Sequence, residues 1–279
     1  MQFSDLFHRS GLIAAHRGNR AVAPENTLAA FRKSIGRCDF IELDVQYSRD
    51  GVPVVIHDET LERTSNVGDI EACRRRFPWR VCDFTLEELK SFDYGSWFDR
   101  DDPFGRRHGG DRDVEEEGYA GAVILTLEEL LHFASVNDIL LNVEMKDVHA
   151  TMADERAVAG VLDVIEALGC TDRILLSSFY HPYLIRAKRS VPGLATAALQ
   201  EGSHPEALVA YLHRLGVAGY HCDDAIVTEE IVTQLKAAGF FVGVYTVNDS
   251  KRQEELFRWG VNAVFTDMPD LPLQQAPGR

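Results

Sequence analysis

Apolar and polar residues alternate along this chain in two rhythms. Short apolar runs such as Leu12–Ala15 and Phe40–Tyr47 have the length of buried strands, and between such runs apolar residues recur every three or four positions, as in amphipathic helices. After residue 170 the two rhythms follow each other regularly. Strands are predicted to begin near Arg173, Leu194, Val217, Phe240 and Asn262. Their spacing of 21 to 23 residues is the length of one strand plus one helix.

The number of predicted strands indicates a closed barrel. Leu12–Ala15, Phe40–Tyr47 and residues 139–146 precede the five later strands, which makes eight βα steps. Eight steps of this length predict an α/β fold of the TIM (β/α)8 barrel type, in one domain over residues 1–279. Residues 52–56 form an extra hairpin strand after the Asp50-Gly51 turn. The alternative, an open doubly wound sheet, lacks a glycine-rich fingerprint after the first strand.

The regular alternation of strand and helix patterns is interrupted at residues 58–122, which are rich in arginine, aspartate and glycine. A long irregular segment after an early strand of a barrel is typical of a lid, so we predict an insertion that caps the active-site end. Capping boxes at Thr85 and Thr126 predict helix starts there. Asn26, Thr228 and Asn248 are predicted N-caps of other helices.

Two strands carry acidic residues where apolar ones are expected. In Phe40–Tyr47, Glu42 and Asp44 are two positions apart and therefore point to one face. In residues 139–146 the same alternation puts Asn142, Glu144 and Lys146 on one face. Neighbouring buried carboxylates remain ionised only when a cation lies between them. Oxygen ligands suit Mg²⁺, Ca²⁺ or Mn²⁺, so the pattern predicts a divalent metal site.

Two histidines are expected to flank these carboxylates. His16 ends the first strand, and the hairpin after Phe40–Tyr47 should bring His57 back to the level of Asp44. Arg17, beside His16, is available for an anion. Two imidazoles around a metal suit in-line displacement at phosphorus.

At these residues the sequence resembles the glycerophosphodiester phosphodiesterase family. The family pattern of His-Arg-Gly, Pro-Glu-Asn-Thr, Glu-x-Asp and His-Asp stands here, in order, as His16-Arg17-Gly18, Pro24-Glu25-Asn26-Thr27, Glu42-Leu43-Asp44 and His57-Asp58. Later matches are Glu144-Met145-Lys146, Ser178-Phe179 and Thr266-Asp267-Met268-Pro269, the last of which we interpret as a structural turn. Tyr245 stands where the family typically has tryptophan.

The resemblance implies hydrolysis of glycerophosphodiesters to glycerol 3-phosphate and an alcohol. We assign the metal to Glu42, Asp44 and Glu144. Arg17 and Lys146 are expected to neutralise charge on the phosphate oxygens, and Tyr245 to pack on the glycerol carbons. His57 is the predicted base and His16 the predicted acid. The nucleophile is either water or the glycerol 2-hydroxyl.

Two other functions are compatible with the same residues. A phospholipase-type barrel acting on lysophospholipids would need an apolar lip around the mouth, which the polar segment 58–122 does not offer. A non-catalytic barrel that binds phosphate esters has no need of two histidines beside the carboxylates. The alcohol, the metal and the oligomeric state are not decided by the residues.

Composition limits the partners. A formal net charge of −15 disfavours nucleic acid and anionic membrane surfaces, and it requires local positive charge wherever a phosphodiester binds. Five scattered cysteines without a CxxC motif predict reduced thiols, and the first residues lack the features of a secretory signal, so we expect a cytoplasmic protein. With no apolar run of about 18 residues, no membrane insertion is expected.

Two polar positions keep open interpretations. Glu25 either supports the site from behind or complements the dipole of the following helix. His221, with Asp223 and Asp224, lies at the end of another predicted strand; we predict a solvated loop there, with a place at the rim of the site as the alternative.

Overall fold

Eight parallel strands close into a barrel in the described part of the chain, residues 1–107, 109, 113–115 and 117–270 of a computed structural model. The strands are β1 (Leu12–Ala15), β2 (Phe40–Tyr47), β3 (Pro53–Val55), β4 (Leu141–Met145), β5 (Ile174–Ser178), β6 (Ala195–Gln200), β7 (Gly219–Asp223), β8 (Phe241–Tyr245) and β9 (Ala263–Thr266). All pairings are parallel except that of β3, which forms an antiparallel hairpin with β2. Closure is made by β1, in which Ala15 pairs with Ile41 on one side and Thr266 on the other. The predicted TIM barrel is confirmed.

Helices connect the strands on the outside of the barrel. They are α1 (Leu28–Ser34), α2 (Leu86–Lys90), α3 (Ser96–Asp101), α4 (Leu127–Val136), α5 (Asp154–Ala167), α6 (His181–Ser190), α7 (Leu208–Leu215), α8 (Glu229–Ala237) and α9 (Ser250–Trp259). The later strands begin within two residues of their predicted starts, because their apolar runs are short and bounded by glycine or polar residues. Among the described helices, none combines the length and apolarity needed to cross a bilayer.

The three threonines predicted to begin helices are confirmed as caps. Thr85 and Thr126 form capping boxes, and the Thr228 hydroxyl accepts a hydrogen bond from the N–H of Ile231. Asn26 and Asn248 are not N-caps; Thr27 and Asp249 take those positions. Both asparagines are instead hydrogen-bonded to aspartates of the site described below, which local sequence could not indicate.

The barrel interior is apolar at its N-terminal end. Phe40, Phe241 and Phe265 fill it from the strands, and Phe3 and Leu6 of a short 3₁₀ helix (Phe3–Leu6) close it from below. Polar side chains therefore concentrate at the opposite end, where the carboxyl ends of the strands meet. In this fold that end carries the active site.

The segment between β3 and α4 packs around its own apolar residues. It contains 3₁₀ helices at Val67–Asp69, Glu71–Arg76 and Val81–Asp83, followed by α2 and α3. Trp97 and Phe98 are buried against Val22 and Ala23 of the loop after β1, so these rings join the segment to the barrel. Residues 108, 110–112 and 116 of the predicted insertion, and residues 271–279 of the predicted domain, lie outside the described residues.

Candidate active site

Three carboxylates meet at the C-terminal end of β2 and β4. Asp44 is in register with Glu144, and Glu42 lies one pair lower, opposite Asn142. One carboxylate oxygen from each of Glu42, Asp44 and Glu144 lies within 4.8 Å of the others, and all three side chains are buried. The inward orientation that period two predicted for these positions is what brings them together.

Burial and mutual repulsion make it unfavourable for all three carboxylates of this cluster to be ionised together. Burial, followed by the charge of Asp44, raises the pKa of both Glu42 and Glu144. Burial acts on Asp44 in the same direction, but Arg17 and Lys146 lower its pKa below the usual range. The cluster therefore favours protonation at its glutamates unless further positive charge is present.

The donor set fits a hard divalent cation. Glu42 Oε2 accepts a hydrogen bond from the N–H of Arg17 at 2.9 Å, whereas Glu42 Oε1 is buried and has no hydrogen-bond partner among the described residues. A buried carboxylate oxygen without a partner is costly, and a bound cation would satisfy it. Because all the candidate ligand atoms are carboxylate oxygens, Mg²⁺, Ca²⁺ and Mn²⁺ fit better than softer metals.

Positive side chains border the carboxylates. Lys146 Nζ lies 2.6 Å from Glu144 Oε1 and 3.6 Å from Asp44 Oδ1. Burial alone would lower the pKa of Lys146, but these two carboxylates raise it, so the ammonium remains charged. Arg17 Nε lies 3.3 Å from Asp44, and another guanidinium nitrogen of Arg17 donates to Glu25 at 2.8 Å. Arg17 thus lies between two carboxylates.

His16 is paired with Asp267, the residue that follows β9. Its Nδ1 lies 2.7 Å from Asp267 Oδ1. Burial would raise the pKa of Asp267, but the hydrogen bond with His16 and nearby charges lower it to about 2, so the aspartate is ionised and His16 Nδ1–H donates. Burial lowers the pKa of His16 itself despite this partner. His16 Nε2 is consequently the basic nitrogen of a mainly neutral ring at pH 7.

His57 is paired with its neighbour Asp58. The N–H of Ile56 donates to the carbonyl of Asp44 at 3.0 Å, so the hairpin returns His57 to the end of β2 as predicted. His57 Nδ1 lies 2.6 Å from Asp58 Oδ1, and Arg63 donates to both oxygens of Asp58 at 2.6 and 3.0 Å. Burial acts to raise the pKa of Asp58, but these contacts hold it well below its usual range.

Glu25 supports the site from behind. It lies outside α1, which begins at Leu28, and its carboxylate accepts hydrogen bonds from Arg17, Arg20 and Arg63 at 2.7–2.9 Å. The helix-dipole interpretation of Glu25 is therefore wrong. Sequence reasoning did not find Asp58, Arg63, Arg20 or Asp267 as contributors, because no spacing rule connects residues from three separate segments, those after β1, β3 and β9.

Tyr245 and Phe179 form an aromatic edge of the mouth. The Tyr245 hydroxyl donates to the carbonyl of Gln200 at 2.7 Å, and its ring packs edge-on against Phe179 with centroids 6.0 Å apart. Phe179 is 37% exposed, and Lys146 Nζ lies 5.8 Å from its ring centre. An apolar surface therefore lies directly beside the ammonium group.

His221 occupies neither a loop nor the rim. It lies on β7 with 0% exposure, packed against Phe265 and Phe241 inside the barrel, so the predicted solvated loop is wrong at this residue. Burial lowers its pKa to about 3. Side chains alternate in direction along β7, and that of His221 points into the barrel. Its position near the strand end in the sequence did not indicate how deeply it would be buried.

The comparisons with known proteins agree with this geometry. A family model described as the glycerophosphoryl diester phosphodiesterase family matches residues 16–271, nearly the whole chain. The chain belongs to this family. The match includes both histidines and all three carboxylates, and the family resemblance read from the motifs is confirmed.

Individual members of the glycerophosphoryl diester phosphodiesterase family cover the chain almost from end to end. A glycerophosphodiester phosphodiesterase of Bacillus altitudinis is 33% identical over 264 residues, covering 92% of this chain and 95% of the relative. One from Caldanaerobacter subterraneus is 32% identical over 262 residues, covering 93% and 95%. A solved phosphodiesterase of Oleispira antarctica, in complex with the product sn-glycerol-3-phosphate, superposes with a TM-score of 0.77 at 30% identity and 94% coverage of both chains.

Proposed function

We propose that this chain hydrolyses glycerophosphodiesters to glycerol 3-phosphate and an alcohol, with a divalent cation bound by Glu42, Asp44 and Glu144. The observation that carries the proposal is the buried cluster of these carboxylates, with an unpartnered oxygen on Glu42, beside Lys146 and two aspartate-paired histidines. Family membership and the product bound to the Oleispira antarctica phosphodiesterase support the choice of substrate class.

Charge balance at the mouth favours a divalent cation over none. The network of contacts described above joins six carboxylates, Glu25, Glu42, Asp44, Asp58, Glu144 and Asp267, to four cations, Arg17, Arg20, Arg63 and Lys146. Six negative against four positive groups leave two negative charges, which a divalent ion would compensate. When bound, such an ion supplies positive charge for the phosphate oxygens and for the nucleophile.

Each protein group has a distinct task in the displacement. The Lys146 ammonium, next to the open mouth, neutralises charge on a non-bridging phosphate oxygen. Arg17 holds Asp44 and Glu42 in place through its side chain and its backbone N–H, and we assign it a second contact with the phosphate. Phe179 and Tyr245 offer an apolar wall for the glycerol carbons.

The histidines move the protons. With Nδ1–H of each ring directed to an aspartate, Nε2 is left for proton transfer in both. One Nε2 removes a proton from the nucleophile, and the other protonates the leaving alkoxide. The lowered pKa of His16 favours a neutral ring in the free protein, which suits a base and so does not support the predicted order with His57 as base.

We also propose how the chain is organised around the site and where the protein acts. We assign residues 1–279 to one catalytic domain in which residues 58–122 cap the mouth, since Arg63 of that segment reaches Glu25 and Asp58. We also propose a cytoplasmic location and no nucleic-acid or membrane partners, which the charge of −15 and the free cysteines support.

The decisive experiment is hydrolysis of a panel of glycerophosphodiesters after chelation with EDTA, followed by addition of Mg²⁺, Ca²⁺ or Mn²⁺. We expect loss of activity on chelation and recovery with at least one ion. His16→Ala and His57→Ala should each lower kcat by about 10²–10⁴-fold. Activity that is insensitive to chelation, or near-normal turnover in either variant, would contradict the proposal.

A further inference from the structure

Each of the two histidines of the mouth is paired with its own aspartate, and the two aspartates lie in different parts of the chain. His16 Nδ1 lies 2.7 Å from Asp267, and His57 Nδ1 lies 2.6 Å from Asp58. A carboxylate at this position fixes which ring nitrogen carries the proton and fixes the plane of the ring. The orientation of each histidine therefore depends on what holds its aspartate.

Each aspartate is in turn held by an arginine. Arg20 donates to Asp267 at 3.3 Å. Arg63 donates to Asp58 through Nε at 2.6 Å and through a terminal nitrogen at 3.0 Å, in a fork-like contact that lysine cannot reproduce. Asp267 has additional support from Asn248, which donates to its second oxygen at 2.8 Å.

Both arginines converge on one carboxylate, that of Glu25. Arg20 donates to Glu25 Oε2 at 2.7 Å, and Arg63 donates to Oε2 and Oε1 at 2.9 and 2.7 Å. The Glu25 side chain is only 2% exposed, so its carboxylate is shielded from water. A continuous chain of hydrogen bonds thus runs from His16 through Asp267 and Arg20 to Glu25. From Glu25 it continues through Arg63 and Asp58 to His57.

We propose that Glu25 is a positioning residue that orients both proton-transfer histidines at once, through the Arg20–Asp267 arm and the Arg63–Asp58 arm. The inference rests on the proposed function, in which His16 and His57 transfer protons. Glu25 itself has no role in the chemistry. Loss of its buried charge leaves Arg20 and Arg63 without their shared anion, and both arms relax together.

The two arms differ in how much they depend on Glu25. In the Arg63–Asp58 arm the arginine makes paired contacts with both carboxylates. In the Arg20–Asp267 arm it makes single contacts, and Asn248 independently holds the aspartate. Release of Glu25 should therefore disturb His57 more than His16.

The test compares two substrates that share the glycerol phosphate and differ in the leaving group. Glycerophosphoethanolamine releases a poor leaving group that needs a proton from an acid, whereas the 4-nitrophenyl ester of glycerol 3-phosphate releases a good one that does not. Misplacing the acid lowers kcat for the first substrate only. Misplacing the base lowers kcat for both.

The variants are Glu25→Gln, Arg20→Lys and Arg63→Lys, with Glu62→Gln as the matched control, since Glu62 is an exposed glutamate beside Arg63. A misplacement of about 1 Å costs about 10²-fold. We expect Glu25→Gln to lower kcat about 100-fold or more on glycerophosphoethanolamine, with a clearly smaller loss on the nitrophenyl ester. KM should rise by the same factor for both substrates, because Arg17, to which we assign a phosphate contact, also loses its charged partner Glu25.

The single-arm variants should separate the two roles. The lysine variant whose arm holds the acid should lower kcat on glycerophosphoethanolamine alone, and the variant whose arm holds the base should lower kcat on both substrates. Of the two, Arg63→Lys should cause the larger loss. In the Glu25→Gln background, either lysine substitution should cost less than in the wild type, because the arm is already released. Where Glu25→Gln fails to fold, Arg20→Lys and Arg63→Lys carry the test, since they keep the positive charge.

A readout without turnover is the ring nitrogen NMR of the metal-free protein. Signals of His16 and His57, assigned with His→Asn variants, should show protonated Nδ1 in the wild type and a loss of that preference in Glu25→Gln. Equal fold losses on both substrates in all three variants would indicate general loosening of the fold and overturn the inference. So would a Glu25→Gln enzyme within about threefold of Glu62→Gln. A wild type inactive on both substrates would instead overturn the proposed function.

Discussion

Removal of divalent cations should destabilise the folded protein, and Glu42→Gln should abolish that sensitivity. Burial and neighbouring charges raise the pKa of Glu42 and Glu144 above their ordinary value of 4.5. A carboxyl group whose pKa is raised by folding stabilises the fold below its unfolded pKa and loses that contribution as the pH rises through its folded pKa. Metal-free protein should therefore lose stability as the pH rises above 4.5, and a bound cation should oppose the loss.

The size of the cation effect follows from mass action. A cation at 100 times its Kd stabilises the folded state by about 2.7 kcal/mol. For 279 residues, an unfolding entropy of about 2.1 cal/mol/K per residue amounts to about 0.6 kcal/mol/K. The expected rise in Tm is therefore about 4–5 °C.

The assay is thermal unfolding at pH 8 after chelation, with and without Mg²⁺, Ca²⁺ or Mn²⁺. Glutamine at position 42 retains an oxygen for the N–H of Arg17 but removes one of the repelling charges. The metal-free Tm of Glu42→Gln should thus equal or exceed that of metal-free wild type, and its response to cations should fall below about 1 °C. Glu62→Gln should keep the full response. A chelated wild type whose Tm does not move with any of the three ions would refute the reasoning.

Three further predictions concern single side chains. Lys146→Met should lower kcat/KM by about 10²–10³-fold, with partial recovery in Lys146→Arg, because a preorganised donor to the phosphate is removed; unchanged kinetics would exclude that role. Gly18→Ala should lower the free energy of unfolding in urea by about 1–3 kcal/mol, since φ at Gly18 is +82° and a Cβ there would lie 2.8 Å from the Ala30 backbone. The control Gly36→Ala should lower it less, because φ at Gly36 is +73° but a Cβ there would have no atom within 4 Å. Asp267, whose pKa folding lowers from 3.8 to about 2, should contribute about 2 kcal/mol that is lost as the pH falls from 4 to 2. Asp267→Asn should flatten that stretch of the stability profile, and an unchanged slope would show that the pair does not stabilise the fold.

The fold was largely predictable because its signals are local. The period of apolar residues and the spacing between turns defined the strands, and β1 and β2 have the predicted bounds. The inward-facing carboxylates could also be found, since a strand fixes the direction of each side chain relative to its neighbours. That is why Glu42, Asp44 and Glu144 could be grouped before any coordinates were known.

The supporting residues of the site could not be found in this way. His16 and Asp267 are 251 residues apart, and Arg63 reaches Glu25 from a turn in the segment after β3. Their pairing depends on closure of the barrel, which brings β9 beside β1, and on how the segment after β3 packs. The prediction that Asn26 and Asn248 cap helices was wrong for the same reason, since their hydrogen-bond partners are distant aspartates.

The amino-acid sequence by itself thus determined the barrel, the family and the residues that are candidates for metal binding and proton transfer. Local period and motif spacing are sufficient for these, because they depend on neighbours along one strand or turn. Only the tertiary structure decided which carboxylate faces which cation and how Glu25 connects the two histidines. Those contacts form between loops that meet when the barrel closes, so their geometry is a property of the whole fold.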